Sequence, residues 1–431
     1  MMVHKIFPCL CAVAFVLFSQ ASCAADTADL PAINVPDGFK ATVFHSGLGA
    51  TRHMAVRENG DVYVAREFRI SRPMFGQEAT WGSLAVLRDE DKDGVADWVE
   101  NFGATDNGGV VRIHDEHLYF SSDQVVYRIP LDDNLVPAAG AEPVAGGFPM
   151  TASHGTKSLA FDAEGNVYVN SGAPSNVCET KRFTRESPGF DPCRQLERSA
   201  GIWRFKADGQ YQDQVRDGER YVTGTRNVVA MAWNPWADQL FFVMHGRDSI
   251  GMLWPDYFTR EDNAELPAEE FHSARAGDNF GWPYTYFDPR TNQRLLSPEY
   301  GGDGKQEPET GKYKDPLIAF PAHWAPNDLL FHSGTNLPEK YAQGAFIVFH
   351  GSWNRMPYEQ DGFKLVFVPM RDGKVTGDWE IFIDGFDGPE RVKNPAKANY
   401  RPTGLAEGPD GAIYISEDKH GRIWKVMPTG E

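Results

Sequence analysis

The chain has 431 residues, 13% of them aromatic, with 42 Gly, 29 Pro and a formal charge of -18. That charge argues against nucleic acid or an anionic membrane as partner and leaves a small neutral or locally complementary ligand. Its 41% hydrophobic content and mean hydropathy of -0.44 describe a soluble globular protein. Abundant Gly, Pro and aromatics fit many short strands joined by turns better than long helices.

Residues 1–24 read as a secretory signal. Lys5 supplies the positive start, Cys9 to Phe18 is nearly apolar, and Ser22-Cys23-Ala24 offers small residues for cleavage. At about ten residues the run is shorter than the roughly 20 needed to span a bilayer. Lipidation at Cys23 is disfavoured by Gln20, where that signal requires an aliphatic residue. The mature part, 25–431, is then exported and carries no membrane span.

Six hairpins follow, each an apolar strand, a turn of the Asn-Gly, Glu-Gly or Asp-Gly kind or a longer equivalent, and a second strand. They begin at His53, Val110, Leu159, Val228, Asn327 and Thr403. Four continue visibly into a third strand. Repeated sheets that cannot bury their faces alone predict one all-β, six-bladed β-propeller. At about 68 residues per unit, against roughly 40–45 for compact blades, the surplus falls into long inter-strand loops at 171–200, 247–300 and 371–400. Two β-sandwiches or a seventh blade within 247–320 are the alternatives. Helix is scarce; Glu265 to His272 is the candidate for a short one.

After the first hairpin, Asp89-Glu-Asp91-Lys-Asp93-Gly94-Val-Ala-Asp97-Trp-Val-Glu100 has the spacing of a calcium loop. Oxygen ligands at alternating positions around a Gly turn suit a hard cation, and a solvated acidic turn is the alternative. Cys178 and Cys193 are the cysteines left after signal removal. In an oxidising compartment they are expected to form one disulfide, worth about 3 kcal/mol in the chain-entropy model, rather than two free thiols.

Chemical groups gather at strand ends. His154-Gly-Thr-Lys157 precedes the third hairpin, Arg226-Asn227 the fourth and Arg401 the sixth; Arg52 lies at the start of the first. His245-Gly246-Arg247-Asp248 and His350-Gly-Ser-Trp-Asn-Arg355 follow second strands. One arginine at a strand end usually caps its own blade. Recurrence at equivalent positions instead predicts a cationic funnel suited to a small polyanion.

At His154, Gly224-Thr-Arg-Asn227, Asn279-Phe-Gly-Trp-Pro283, His350-Gly-Ser-Trp-Asn-Arg355 and Arg401-Pro-Thr-Gly404, the chain resembles the soluble pyrroloquinoline quinone (PQQ) dependent sugar dehydrogenases, most closely the sorbosone dehydrogenase group. The resemblance spans nearly the whole mature chain. It implies PQQ and Ca²⁺ as cofactors, a sugar, aldose or polyol as substrate, and a separate cytochrome or quinone as electron acceptor. It also implies His154 as general base at a pKa near its ordinary value, Arg226 polarising the quinone with Asn227 beside it, and Arg355 and Arg401 on its carboxylates. Arg52 stands near a first-blade cofactor position. The carbonyls of Gly246 and Arg247 would hold the catalytic calcium. Glucose-oxidising relatives have Asp before the base, where this chain has Ser153, and Gly-Pro where it has Gly246-Arg247.

Two other readings use the same fold. A calcium-dependent lactonase would need several carboxylate or amide side chains around its metal. A non-catalytic glycan- or partner-binding propeller would need none of this chemistry.

Overall fold

A computed structural model describes residues 33–66, 83–103, 109–151 and 153–430. The signal-like residues 1–24 lie outside these. The described residues form six blade sheets around an axis, antiparallel except where Gln212–Asp213 pairs in parallel with Ala145–Gly146, and one separate two-stranded sheet. Their inner strands, Thr51–Val56, Val110–His114, Leu159–Phe161, Val228–Asn234, Pro326–Phe331 and Pro402–Glu407, touch one another in that order, and the last touches the first. This is the expected six-bladed propeller.

Strand periodicity builds the core. In the first blade Val62 and Val64 face one way, packing with Tyr414 and Ile423 of the sixth. Tyr63 and Ala65 face the other way and pack with Leu118 and Phe120 of the second. Because side chains alternate along a strand, one sheet supplies two apolar faces. Four further clusters repeat this across the remaining blade pairs. Each fully buried Val, Leu or Phe contributes about 1.5–3 kcal/mol, so the ring is held chiefly by its blade interfaces.

The ring closes with a strand that the hairpin pattern did not reveal. Phe39–His45 pairs with Ile423–Pro428 and forms the outer strand of the sixth blade. Chain start and chain end are thereby hydrogen-bonded into one sheet.

The long loops fall where expected, with corrected contents. Within 172–200, Cys178 and Cys193 form the disulfide, with Cα atoms 6.2 Å apart. The fourth blade carries two short helices, Ile250–Leu253 and Arg260–Glu265, instead of one at Glu265 to His272. Thr259 and Asp262 make a capping box that starts the second helix. Glu269–Ala274 is the blade's third strand, and its buried Glu269, Glu270 and His272 disguised it as a surface segment. Glu270 is compensated by Arg294 at 2.6 Å and His272 at 3.1 Å. Residues 285–296 form a two-stranded hairpin rather than a seventh blade. No helix of the described residues is long and apolar enough to cross a membrane.

Candidate active site

In an antiparallel blade, the start of the inner strand and the end of the second strand lie at the same end. Six blades therefore bring such positions together around one channel mouth. A cavity of about 330 Å³ lies there, lined by Arg52, Ser153, His154, Asn227, His245, Asn327, His350, Trp353 and Arg401 among others. Its size is within the roughly 300–1,000 Å³ of small-molecule sites.

His154 is held in one orientation. Its φ of 53° is left-handed, an uncommon conformation for a side-chain-bearing residue and one that gathers at functional sites. Gly172 permits the approach: a Cβ there would stand 2.6 Å from the Cβ and the carbonyl oxygen of His154. Nδ1 lies 2.7 Å from the Ala173 carbonyl, which can only accept, so Nδ1 carries the proton and Nε2 keeps a free lone pair. Burial, with Arg226 adding to it, lowers the pKa to about 3. The ring is therefore neutral at neutral pH, and the ordinary value expected from sequence does not apply.

Two more neutral histidines face the cavity. His245 donates from Nε2 to the Pro326 carbonyl at 2.6 Å. His350 accepts at Nδ1 from Arg401 Nη2 at 3.0 Å and donates from Nε2 to Asp418 Oδ2 at 3.0 Å. Burial lowers both to about 4, assisted at His350 by Arg401. Arg52 reaches the same Asp418 oxygen at 3.1 Å. Burial alone would raise the Asp418 pKa, but His350, Arg52 and Arg401 outweigh it and hold the carboxyl well below the usual range. Two guanidiniums and one carboxylate leave this corner with a net positive charge, and among the described residues no carboxylate lines the cavity itself.

The structure thus brings together His154, Asn227, Arg52 and Arg401. It separates others from them. Arg226 is buried and does not line the cavity. It donates to Asn176 Oδ1 at 3.0 Å, Asp248 Oδ2 at 2.6 Å and the Gly246 carbonyl at 2.8 Å. Arg355 lies outside the cavity lining, bound to Glu265 at 2.5 Å and the Ala264 carbonyl at 2.8 Å. The Arg247 side chain is buried against Glu299 at 2.6 Å. Lys157 is buried, donates to the Gly155 carbonyl at 2.6 Å and does not line the cavity.

The acidic loop is on the first blade, between strands Leu84–Arg88 and Trp98–Phe102. Asp89, Asp91 and Asp97 bring ligand oxygens within 4.8 Å of one another. Asp93 accepts from the Val95 N–H at 2.8 Å, and neither it nor Glu100 joins that group. The five-acid set read from the spacing becomes three.

Sequence reasoning missed Asp418, the anion that organises Arg52, His350 and Arg401. Its signal was positional: it follows the second strand of its blade, as His245 and His350 follow theirs. It also missed Glu269, which burial raises to about 7 although the Gly246 and Ala325 N–H groups donate to it.

Solved structures share this architecture. A Trichoderma reesei protein described as Carbohydrate-Active Enzymes Family AA12, in a calcium structure, aligns over 93% of this chain and 98% of its own, with TM-score 0.74 and 19% identity. The holo form of the pyranose dehydrogenase PQQ domain from Coprinopsis cinerea aligns over 92% and 98%, with TM-score 0.72 and 18% identity. The soluble aldose sugar dehydrogenase of Escherichia coli, in its apo form, gives 90% and 99%, TM-score 0.58 and 16% identity. At these identities the likeness is one of fold. An uncharacterized protein of Borreliella burgdorferi is 27% identical over 205 residues, 47% of each chain, so the match spans about half the length of that curated relative. The TrAA12-like family model matches residues 33–429, essentially the whole propeller, and the chain belongs to that family.

Proposed function

We propose that the protein is an exported, PQQ-dependent dehydrogenase of a sugar, aldose or related polyol. The single observation that carries the reading is the channel-mouth cavity, which joins a neutral, oriented histidine to a net cationic corner. Export is supported by the signal-like residues 1–24 and by the disulfide. A separate cytochrome or quinone would receive the electrons.

The residues present fit an anionic quinone. Arg401 Nε and Asn227 Oδ1 are buried at the cavity without a hydrogen-bond partner, a donor and an acceptor left for a ligand. Arg52 and Arg401 would hold carboxylates, with charge-assisted bonds worth about 1.5–3 kcal/mol each. Bound there, PQQ would supply the electrophilic carbonyl, the hydride acceptor of a two-electron oxidation. His154 Nε2 takes the hydroxyl proton of the substrate, and the Ala173 carbonyl stabilises the imidazolium that forms. Anionic charge in the cavity would raise the histidine's pKa from its ligand-free value and make it a better base. Arg226 acts from below, keeping Asp248 and the Gly246 carbonyl in place.

The fit to the proposed calcium ligands is poor. The Gly246 carbonyl already accepts from a guanidinium at 2.8 Å, and a cation on the same oxygen would be repelled. No step is derived through that ion. A lactonase is disfavoured because, among the described lining residues, Asn227 and Asn327 offer amides but no carboxylate joins them, and Arg52 and Arg401 stand there instead. Absorbance titration of the purified protein with PQQ, with and without Ca²⁺, tests the reading. Saturable binding that anion competitors displace is expected; absence of binding under both conditions leaves a non-catalytic propeller.

A further inference from the structure

A second concavity, about 810 Å³, is built on segments that also wall the first. Two segments link them. Ser153 lines the cavity and accepts from Arg182, whose neighbour Phe183 lines the groove. Trp353 lines the cavity, and Met356 on the same loop lines the groove. Asn354 ties that loop to Asp248 at 2.5 Å, and Ser249 beside it is again groove wall.

The groove's chemistry is specific. Phe183, Met252 and Met356 are 47%, 59% and 55% exposed there, an apolar lining against which the apolar faces of a ligand can rest. Its charged lining residues are Arg185 and Arg260, with no carboxylate, in a chain whose net charge is -18. Neither guanidinium has an ion pair among the described residues. An occupant should therefore combine apolar faces with negative charge and be long enough to reach the cavity.

We infer that the groove binds an acidic oligosaccharide, placing a uronate carboxylate at Arg185 and Arg260 while its terminal sugar occupies the His154 cavity. Pyranose C–H faces lie against Phe183, Met252 and Met356, and Trp353 stands at the junction. This rests on the sugar dehydrogenase reading for the terminal unit, whereas the groove's preference for charge is independent of turnover.

The test is calorimetric titration of the full chain with a uronate-containing trisaccharide and with its carboxyl-reduced counterpart. The acid form should bind at least about tenfold more tightly, the effect of one charge-assisted pair, and the gap should shrink with added salt. Arg185→Gln combined with Arg260→Gln should abolish the preference, while Arg216→Gln, on an exposed loop of the third blade, should keep it. Equal affinity for the two sugars, or a preference that survives the double change, overturns the proposal and leaves the dehydrogenase reading intact. A uronate preference in a protein that oxidises no aldose when loaded with quinone overturns the dehydrogenase reading instead. Anionic vesicles are a second probe: binding to them, with no binding of either trisaccharide, would assign the groove to a membrane and overturn the inference.

Discussion

Asp418→Asn separates what stabilises the fold from what serves the ligand. The amide keeps the shape of the side chain and can still accept from His350 Nε2, but removes the negative charge that Arg52 and Arg401 share. Two guanidiniums, both mostly buried, then face each other uncompensated. Two unit charges about 5 Å apart interact by roughly 3 kcal/mol at an effective dielectric of 20. Losing one partner of a buried pair costs about 3–5 kcal/mol, and the retained hydrogen bond places this variant toward the lower end. Denaturant unfolding at pH 7 should show that loss with an unchanged slope. The folded pKa of Asp418 is depressed, so its contribution is fully present above the unfolded value near 3.8 and fades as pH falls below it. Wild type and variant should therefore differ equally at pH 8 and pH 6. Affinity for PQQ should move the other way, rising by about tenfold as the cavity becomes more cationic. A variant that is destabilised and also binds PQQ more weakly would refute the electrostatic account of this corner.

Gly172→Ala should lower turnover far more than quinone affinity, because the new Cβ would stand 2.6 Å from His154 but 3.3 Å from Asn227 Oδ1; rate and binding titrations on one preparation check the split. Acid should destabilise the protein. His53, His154, His245 and His350 are held near 3 to 4 chiefly by burial, so their contribution is full above about 6.5 and lost as pH falls toward those values. Glu269 and Glu417, raised to about 7 by burial, oppose this but number two against four. The net loss should be about 2–3 kcal/mol per pH unit below pH 6, and stability that stays flat from pH 7 to pH 5 would contradict it. We propose a structural Ca²⁺ at Asp89, Asp91 and Asp97; Asp91→Ala should lower the melting temperature in calcium and leave PQQ affinity unchanged. An unchanged melting temperature would make the loop a solvated turn.

The blades were legible because strand alternation is a local signal: Val62 to Ala65 announce a strand wherever they pack. Closure was not, because Phe39–His45 finds its partner nearly 400 residues away and no local pattern encodes that. Glu269–Ala274 hid for the opposite reason. Its charges are compensated by Arg294 and by the Gly246 and Ala325 amides, contacts that exist only after folding. Position along the blade singled out His154, Asn227, Arg52 and Arg401, which line one cavity in the structure. It could not distinguish an arginine that faces the cavity from one, such as Arg226 or Arg355, engaged by its own neighbours. Nor could it anticipate the depressed pKa of His154, which follows from the depth of the imidazole and its distance from Arg226.

The central claim is that His154 removes a proton from a sugar held beside a quinone bound by other blades. Anaerobic mixing of PQQ-loaded protein with an aldose, followed by quinone absorbance, tests it most directly. Wild type should be reduced in a single exponential. His154→Ala should load PQQ equally well and be reduced about 10²–10⁴-fold more slowly, the usual worth of a positioned base. Reduction of the loaded variant at the wild-type rate would contradict the account.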